Sequence, residues 1–400
     1  MSSVAAEVTG RPAVWRDGKR FLWPLALAVP LLPLVCFGIV GKSGHEGWWW
    51  LGAALVFVQV PLMDRMIGSD DGNPPEDLVK ALQSDRFYRW MTFLYLPLLF
   101  VGLVIGCQQW AAGDLGWVGR IGMIVTVGIV SGIAINTAHE LGHKVEKLER
   151  RLSKLALAPS AYGHFYVEHN RGHHIRVATP EDPASARLGE GFWRFWPRVV
   201  WGSLRSAVRM EWRRFRRRGQ SPWTWRNDVL NAWALTVVLW GGFVAWLGPG
   251  VLWFLVPQAV TGFTLLESVN YLEHYGLRRR LTPYGRYENV DARHSWNSDR
   301  LATNLFLYQL QRHSDHHANP TRRYQVLRSL DVSPQLPAGY ASMIVLSFVP
   351  PRWRRVMDHR VVEHYGGDLS LANVHEPARR GLERRFGTPP AGQAGSAAVE

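Results

Sequence analysis

The chain has 400 residues, 47% of them hydrophobic, and a net charge of +14, ample for a large core and basic enough to favour anionic lipid or an acidic partner. Its two cysteines, Cys36 and Cys107, both lie in apolar runs, which excludes a disulfide framework and a thiolate metal site. No nucleic-acid motif accompanies the positive charge, so nucleic acid is set aside as a partner.

Apolar residues collect in runs of roughly 20, the length that crosses the hydrocarbon core of a bilayer. In chain order the runs are 21–40, 48–63, 90–110, 119–138, 229–247 and 250–272. Tryptophans mark their ends, among them Trp23, Trp48, Trp49, Trp50, Trp90, Trp110, Trp117 and Trp253, as in an interfacial aromatic belt. The fold expected is all-α, with six transmembrane helices and a histidine-rich cap. The intervals 41–47, 111–118 and 248–249 are short and nearly uncharged, whereas 139–228 and 273–400 hold most of the Lys and Arg. The positive-inside rule therefore predicts a multi-pass membrane protein with both termini and the cap in the cytoplasm. Residues 1–20 read as a polar N-terminal segment without a cleavable signal, and 21–387 as one domain. The Pro/Gly-rich stretch 388–400 reads as a disordered tail or linker. Segment 211–226 mixes Arg with Trp and Phe and predicts an amphipathic helix on the membrane surface. Residues 341–350 are apolar but too short to span, and should pack on the cap.

Most of the 15 histidines fall into four groups. They are His139 and His143 at the end of the fourth run, His169, His173 and His174, then His274 at the end of the sixth, and His313, His316 and His317. Residues four apart share a helix face, so the pairs 139/143, 169/173 and 313/317 can each aim two imidazoles at one metal region. The adjacent pairs 173/174 and 316/317 splay by about 100° on an α-helix, which suits two ions better than one. Nine histidines also exceed the needs of one ion. Each group has a carboxylate beside an imidazole: Glu140, Glu168, Glu273 and Asp315. Metal-bound imidazoles usually donate their second N–H to such an acceptor, so these four are expected behind the ligands, with direct ligation by one or two of them as the alternative. His164 and His294 are further candidates for that supporting role.

His139-Glu-Leu-Gly-His143 also fits the H-E-x-x-H pattern of zinc proteases, but that reading leaves seven histidines unexplained. A metal transporter would place its ligands near mid-membrane, whereas these gather at one end of the spans. Imidazole sites suit Zn, Cu, Fe or Ni, and donor chemistry alone does not choose among them.

The segments His-Glu-Leu-Gly-His-Lys (139–144), Glu-His-Asn-Arg-Gly-His-His (168–174), Asn-Tyr-Leu-Glu-His-Tyr-Gly (270–276) and Leu-Gln-Arg-His-Ser-Asp-His-His-Ala (310–318) resemble those of the membrane alkane 1-monooxygenases. That family is a branch of the histidine-rich membrane desaturases and hydroxylases, and the resemblance covers about residues 20–380. It implies a non-haem site of two iron ions that uses O2 and electrons from rubredoxin, supplied in turn by a rubredoxin reductase, to hydroxylate medium-chain n-alkanes at the terminal carbon. The chain has no Cys-x-x-Cys pair to hold a rubredoxin iron, so the donor is expected as a separate chain or as a fused domain beyond the tail. A fatty-acyl desaturase or lipid hydroxylase with the same iron chemistry is the alternative.

An alkane has no polar handle, so its recognition must come from cavity shape. Stepping back from His139 along its helix face gives Ile135, Gly132 and Gly128; from His274 it gives Asn270, Glu267 and Phe263. The second run (Ala54, Val56, Val58) is the expected far wall. Glu267, a carboxylate inside a span, should face the interior with a partner.

Overall fold

The structure, a computed structural model, describes residues 15–387. The 388–400 tail and most of the N-terminal segment lie outside the described residues. Within them the chain is helical, with only isolated β-bridges between loops. Six helices are long and apolar enough to cross a membrane: Arg20–Ser43, Glu46–Ile67, Arg86–Ala112, Trp117–Gly142, Asp228–Leu247 and Pro249–Glu273, referred to below as spans 1 to 6. Spans 1 to 4 extend a few residues beyond their apolar runs, because polar and aromatic ends continue the helix past the hydrocarbon, whereas spans 5 and 6 nearly coincide with theirs. Residues 143–227 and 274–387 form a cap at one end of the spans.

Span 4 is the centre of the bundle, more buried than any other span. It packs on span 6 through small residues. A Cβ on Gly128 would lie 2.8 Å from Gln258 O, and one on Gly132 would lie 2.8 Å from Gly262 O. Such close backbone approach is how helices associate in lipid, where apolar burial gives little net drive. Polar contacts reinforce the pair: Ser131 Oγ donates to Gln258 Oε1 (2.9 Å), whose amide donates to Pro159 O (2.7 Å). These hydrogen bonds are made where water is absent, so loss of either partner leaves an unpaired group in a dry interior.

Two segments differ from the sequence reading. The amphipathic helix runs Phe192–Arg216, not 211–226, and the chain turns at Gly219 (φ 64°) before re-entering span 5. The arginines from 211 onward mark only its last turns; the buried face begins earlier, with Phe192, Phe195 and Val199. The 341–350 segment forms a helix, Tyr340–Ser347, that lies against span 6 as well as the cap. Its approach depends on a joint at the cap end of span 2. There buried Asp64 accepts from Thr303 N (2.9 Å) and from the Thr303 hydroxyl, and Gly339 leaves no room for a side chain against Asp64 Oδ2.

Candidate metal centre

Four local structures deliver the nine histidines. Span 4 ends at Gly142, placing His139 in its last turn and His143 just beyond. A short helix, Phe165–Glu168, continues through a π turn, His169–His173. His274 directly follows span 6, and helix His313–Ala318 supplies the rest. The loop into that last helix holds Tyr308 and Gln309 in the left-handed region (φ 53° and 55°), which side-chain-bearing residues rarely adopt. Tyr308 OH donates to Met91 O (3.2 Å) and Gln309 N to Asn304 O (2.8 Å), so the surrounding helices impose this turn.

The imidazoles form two adjoining groups. His139, His143, His169, His174 and His316 make one; His173, His274, His313 and His317 make the other; within each, the ligand atoms all lie within 4.8 Å of one another. The groups touch through His174 and His317, whose rings are 4.4 Å apart. The adjacent pairs 173/174 and 316/317 each divide between the groups. The pairs 139/143 and 313/317 stay together, but 169/173 does not. The π turn is the reason. Its hydrogen bonds run from i to i+5, so His169 aligns with His174, their Nε2 atoms 3.1 Å apart, and His173 is released to the second group.

The donor sets fit metal ions. Nε2 atoms meet at 2.8 Å (His139, His316), 3.2 Å (His316, His174) and 2.9 Å (His317, His313). Two nitrogens bound about 2.1 Å from one ion at right angles stand ~3 Å apart. Nε2 of His143, His173 and His274 is buried and has no hydrogen-bond partner, an arrangement costly for a polar atom unless something binds it. Burial, together with neighbouring imidazoles, holds His143, His169, His174, His313, His316 and His317 well below the ordinary histidine range, and His274 at about 3. Neutral imidazole is the ligating form.

The groups that steady these rings are only partly those expected. His173 Nδ1 donates to Asp182 Oδ2 (2.9 Å), and His274 Nδ1 to the main-chain carbonyl of His294 (3.0 Å). Asp182, absent from the sequence reading, also accepts from Ser185 Oγ (2.7 Å) and Ala184 N (3.2 Å). Burial pushes its carboxyl up, but the adjacent imidazole and hydroxyl outweigh that and hold it at about 2. The only hint in sequence is a turn-prone Thr-Pro-Glu-Asp-Pro run (179–183) shortly after the second histidine group.

Of the four carboxylates expected behind ligands, only Glu273 meets an imidazole: its Oε2 lies 3.2 Å from His313 Nε2, and its Oε1 has no partner. Nε2 is also the atom His313 turns toward His317, so Glu273 sits among the ligands rather than behind them. Glu140 pairs with Lys144 (2.9 Å), Glu168 with Arg176 (2.7 Å), and Asp315 with Arg322 (2.8 Å). Each acid follows or precedes its histidine by one residue, and a one-residue step on a helix turns it about 100° away. Glu267 bonds no histidine either; it accepts from Tyr162 OH (2.6 Å) and Asn270 Nδ2 (2.9 Å). His294 contributes its carbonyl, while its ring caps a short helix by accepting from Asp291 N (3.0 Å). His164 is buried against Tyr162 and Trp233 and belongs to neither group.

An apolar cavity runs from between the spans to the centre. Val29, Val56, Val60, Leu265, Phe306 and Ile344 line it, and His139, His169, His313 and Glu273 close its inner end. Its polar wall residues have their donors engaged: Asn136 to Leu307 O (2.8 Å), Asn270 to Glu267, and Thr303 to Asp64. Of the residues expected along the path, Val56, Gly132 and Asn270 line the cavity. Gly128 instead packs on Thr261, Phe263 stacks on Tyr162, Ile135 is buried outside the cavity, and Val58 is 56% exposed on the outer surface. On span 2 the inward residue is Val56, while Ala54 and Val58 face out.

Six spans topped by two imidazole groups that open on an apolar cavity define a membrane-embedded, histidine-ligated oxidoreductase of the desaturase and hydroxylase type. In agreement, residues 115–347 match the fatty acid desaturase family model. The chain is 42% identical over 379 residues to an alkane 1-monooxygenase of Acinetobacter baylyi, covering 93% of this chain and 92% of the relative. It is 43% identical to alkane 1-monooxygenase 1 of Alcanivorax borkumensis (93% and 92% covered) and 40% identical to the Ectopseudomonas oleovorans alkane 1-monooxygenase (95% of each). The chain belongs to the alkane 1-monooxygenase family.

Proposed function

We propose that this protein hydroxylates the terminal carbon of medium-chain n-alkanes, with two iron ions in the two histidine groups and rubredoxin, separate or fused, as electron donor. The observation that supports it best is the cavity: an apolar path whose polar wall residues Asn136, Asn270 and Thr303 have their donors engaged, ending at His139, His169, His313 and Glu273. An acyl substrate would in addition need a polar docking site for its carboxylate or carrier, and the cavity lining is apolar apart from Asn136, Asn270, Thr303 and the residues at its inner end. Five imidazoles in one group also exceed the tetrahedral set typical of structural zinc.

The overall reaction is R–H + O2 + 2 e− + 2 H+ → R–OH + H2O. Bound iron would supply the O2 chemistry. The chain's own residues do the positioning. Leucine, valine and isoleucine side chains hold the alkane by burial alone, about 0.8 kcal/mol per methylene. The tethers on Asn136, Asn270 and Thr303 keep their polar groups from the hydrocarbon. Asp182 and the His294 carbonyl fix which nitrogen of His173 and His274 faces the centre. The cationic loops support a cap on the cytoplasmic side of a bacterial inner membrane and favour an acidic electron donor.

The test is turnover. Full-length protein in membranes, with rubredoxin and its reductase, is given n-octane, and products are identified by gas chromatography and mass spectrometry. The proposal predicts 1-octanol from the native protein and none from His313→Ala. Turnover of fatty acyl substrates without alkane oxidation would refute it.

A further inference from the structure

The helix Phe192–Arg216 lies near the membrane plane. Its Trp196 Nε1 donates to Thr264 Oγ1 of span 6 (3.0 Å), and its Glu211 accepts from Asp228 N at the start of span 5 (2.8 Å). Spans 5 and 6 share the turn at Gly248. At 1.5 Å per residue, Thr264 stands about 24 Å from that turn and Asp228 about 30 Å. Trp196 and Glu211 are themselves about 22 Å apart along their helix. The helix therefore rises only about 6 Å over that length, and stays at the level where the spans leave the hydrocarbon.

One side of it is buried through Phe192, Phe195, Val199, Ala207 and Phe215. The opposite side presents Trp201, Arg205, Arg209, Arg213 and Arg216, spaced by four and then three residues, so they form one ridge. None of these four arginines makes an ion pair among the described residues, whereas Arg198 and Arg214 on its flanks are paired with Glu190 and Glu211. The following loop adds exposed Trp223 (73%) and Trp225 (71%), with Trp223 packed on Trp212.

We infer that this ridge is a binding site for the head groups of anionic phospholipids in the leaflet on the cap side. The guanidinium fork matches a phosphate bidentately, and tryptophan favours the head-group layer. An acidic protein would also meet the charge, but the interleaved tryptophans and the in-plane orientation favour lipid. The inference rests on the membrane fold and is independent of the reaction proposed above.

The test uses the full chain in nanodiscs or detergent, with phosphatidylglycerol and phosphatidylcholine as probes and retained lipid counted by native mass spectrometry. The native protein should retain phosphatidylglycerol preferentially. The triple variant Arg205→Gln, Arg209→Gln, Arg213→Gln should lose that preference by at least about tenfold, given that one arginine near an anionic surface is worth roughly fivefold. The corresponding triple lysine variant, which keeps the charge but not the bidentate fork, should fall between the native protein and the glutamine variant. An unchanged preference in the glutamine variant, or loss of affinity for an acidic electron donor with the lipid preference intact, would overturn the inference.

Discussion

Replacing Asp182 by Asn separates the two metal groups. Asp182 is fully buried and accepts three hydrogen bonds: His173 and Ser185 on Oδ2, and Ala184 N on Oδ1. As a carboxylate it can only accept, so it holds the proton of His173 on Nδ1 and leaves Nε2 free toward His274 and His317. Asn has one accepting oxygen for these two sites. If that oxygen stays with Ala184, the new amide N–H faces His173, and the imidazole must move its proton to Nε2, where it blocks ligation. Loss of such a partner typically lowers metal affinity 10–100-fold, about 1.4–2.7 kcal/mol. The loss should fall on the four-histidine group, because His173 is a member of that group alone. Chelator competition on metal-loaded protein, followed by metal analysis, should show one ion leaving early and the other held as in the native protein. Equal retention of both ions in a folded Asp182→Asn variant would refute the reasoning.

Further outcomes follow from the same geometry. Val56→Phe, on the cavity wall away from the cap, should shift preference toward shorter alkanes. Each excluded methylene costs about 0.8 kcal/mol, or roughly fourfold in relative kcat/KM, read from competition between octane and dodecane. Gly339→Ala would drive a methyl group into Asp64 Oδ2 and Thr303, and should destabilise the protein by about 1–3 kcal/mol in thermal unfolding in detergent. Metal-free protein should lose stability as pH falls below about 6.5. His164 and His274 are held at about 3 when folded, chiefly by burial, so below their ordinary pKa the unfolded chain binds more protons and gains relative stability. Each such histidine costs up to about 1.4 kcal/mol per pH unit, and a flat unfolding temperature between pH 7 and 5 would contradict it.

The spans were legible because a bilayer demands roughly 20 apolar residues in a row, a signal independent of tertiary contacts. The nine histidines were legible as a set because their spacings repeat. Their division was not: a π turn at His169–His173 leaves no mark in the spacing, and it reverses the partner expected for His169. The supporting carboxylates were misassigned because sequence adjacency is not spatial adjacency on a helix. Glu140, Glu168 and Asp315 turn away to Lys144, Arg176 and Arg322, while Asp182 arrives from a loop with no periodic signal. The far wall was only partly legible on span 2, where apolar residues face both lipid and cavity: Val56 lines the cavity, whereas Ala54 and Val58 do not. Ala54 and Val58, four residues apart, share the outward face, and Val56 between them is turned about 200° from Val58 to the cavity.

The most direct test of the two-site centre is metal stoichiometry in purified, anaerobically iron-loaded protein, read together with its Mössbauer spectrum. Two irons per chain are expected. His317→Ala should deplete the four-histidine group and His316→Ala the five-histidine group, giving two different residual spectra. A single tightly bound ion in the native protein, or identical residual spectra from the two variants, would contradict the division into two groups.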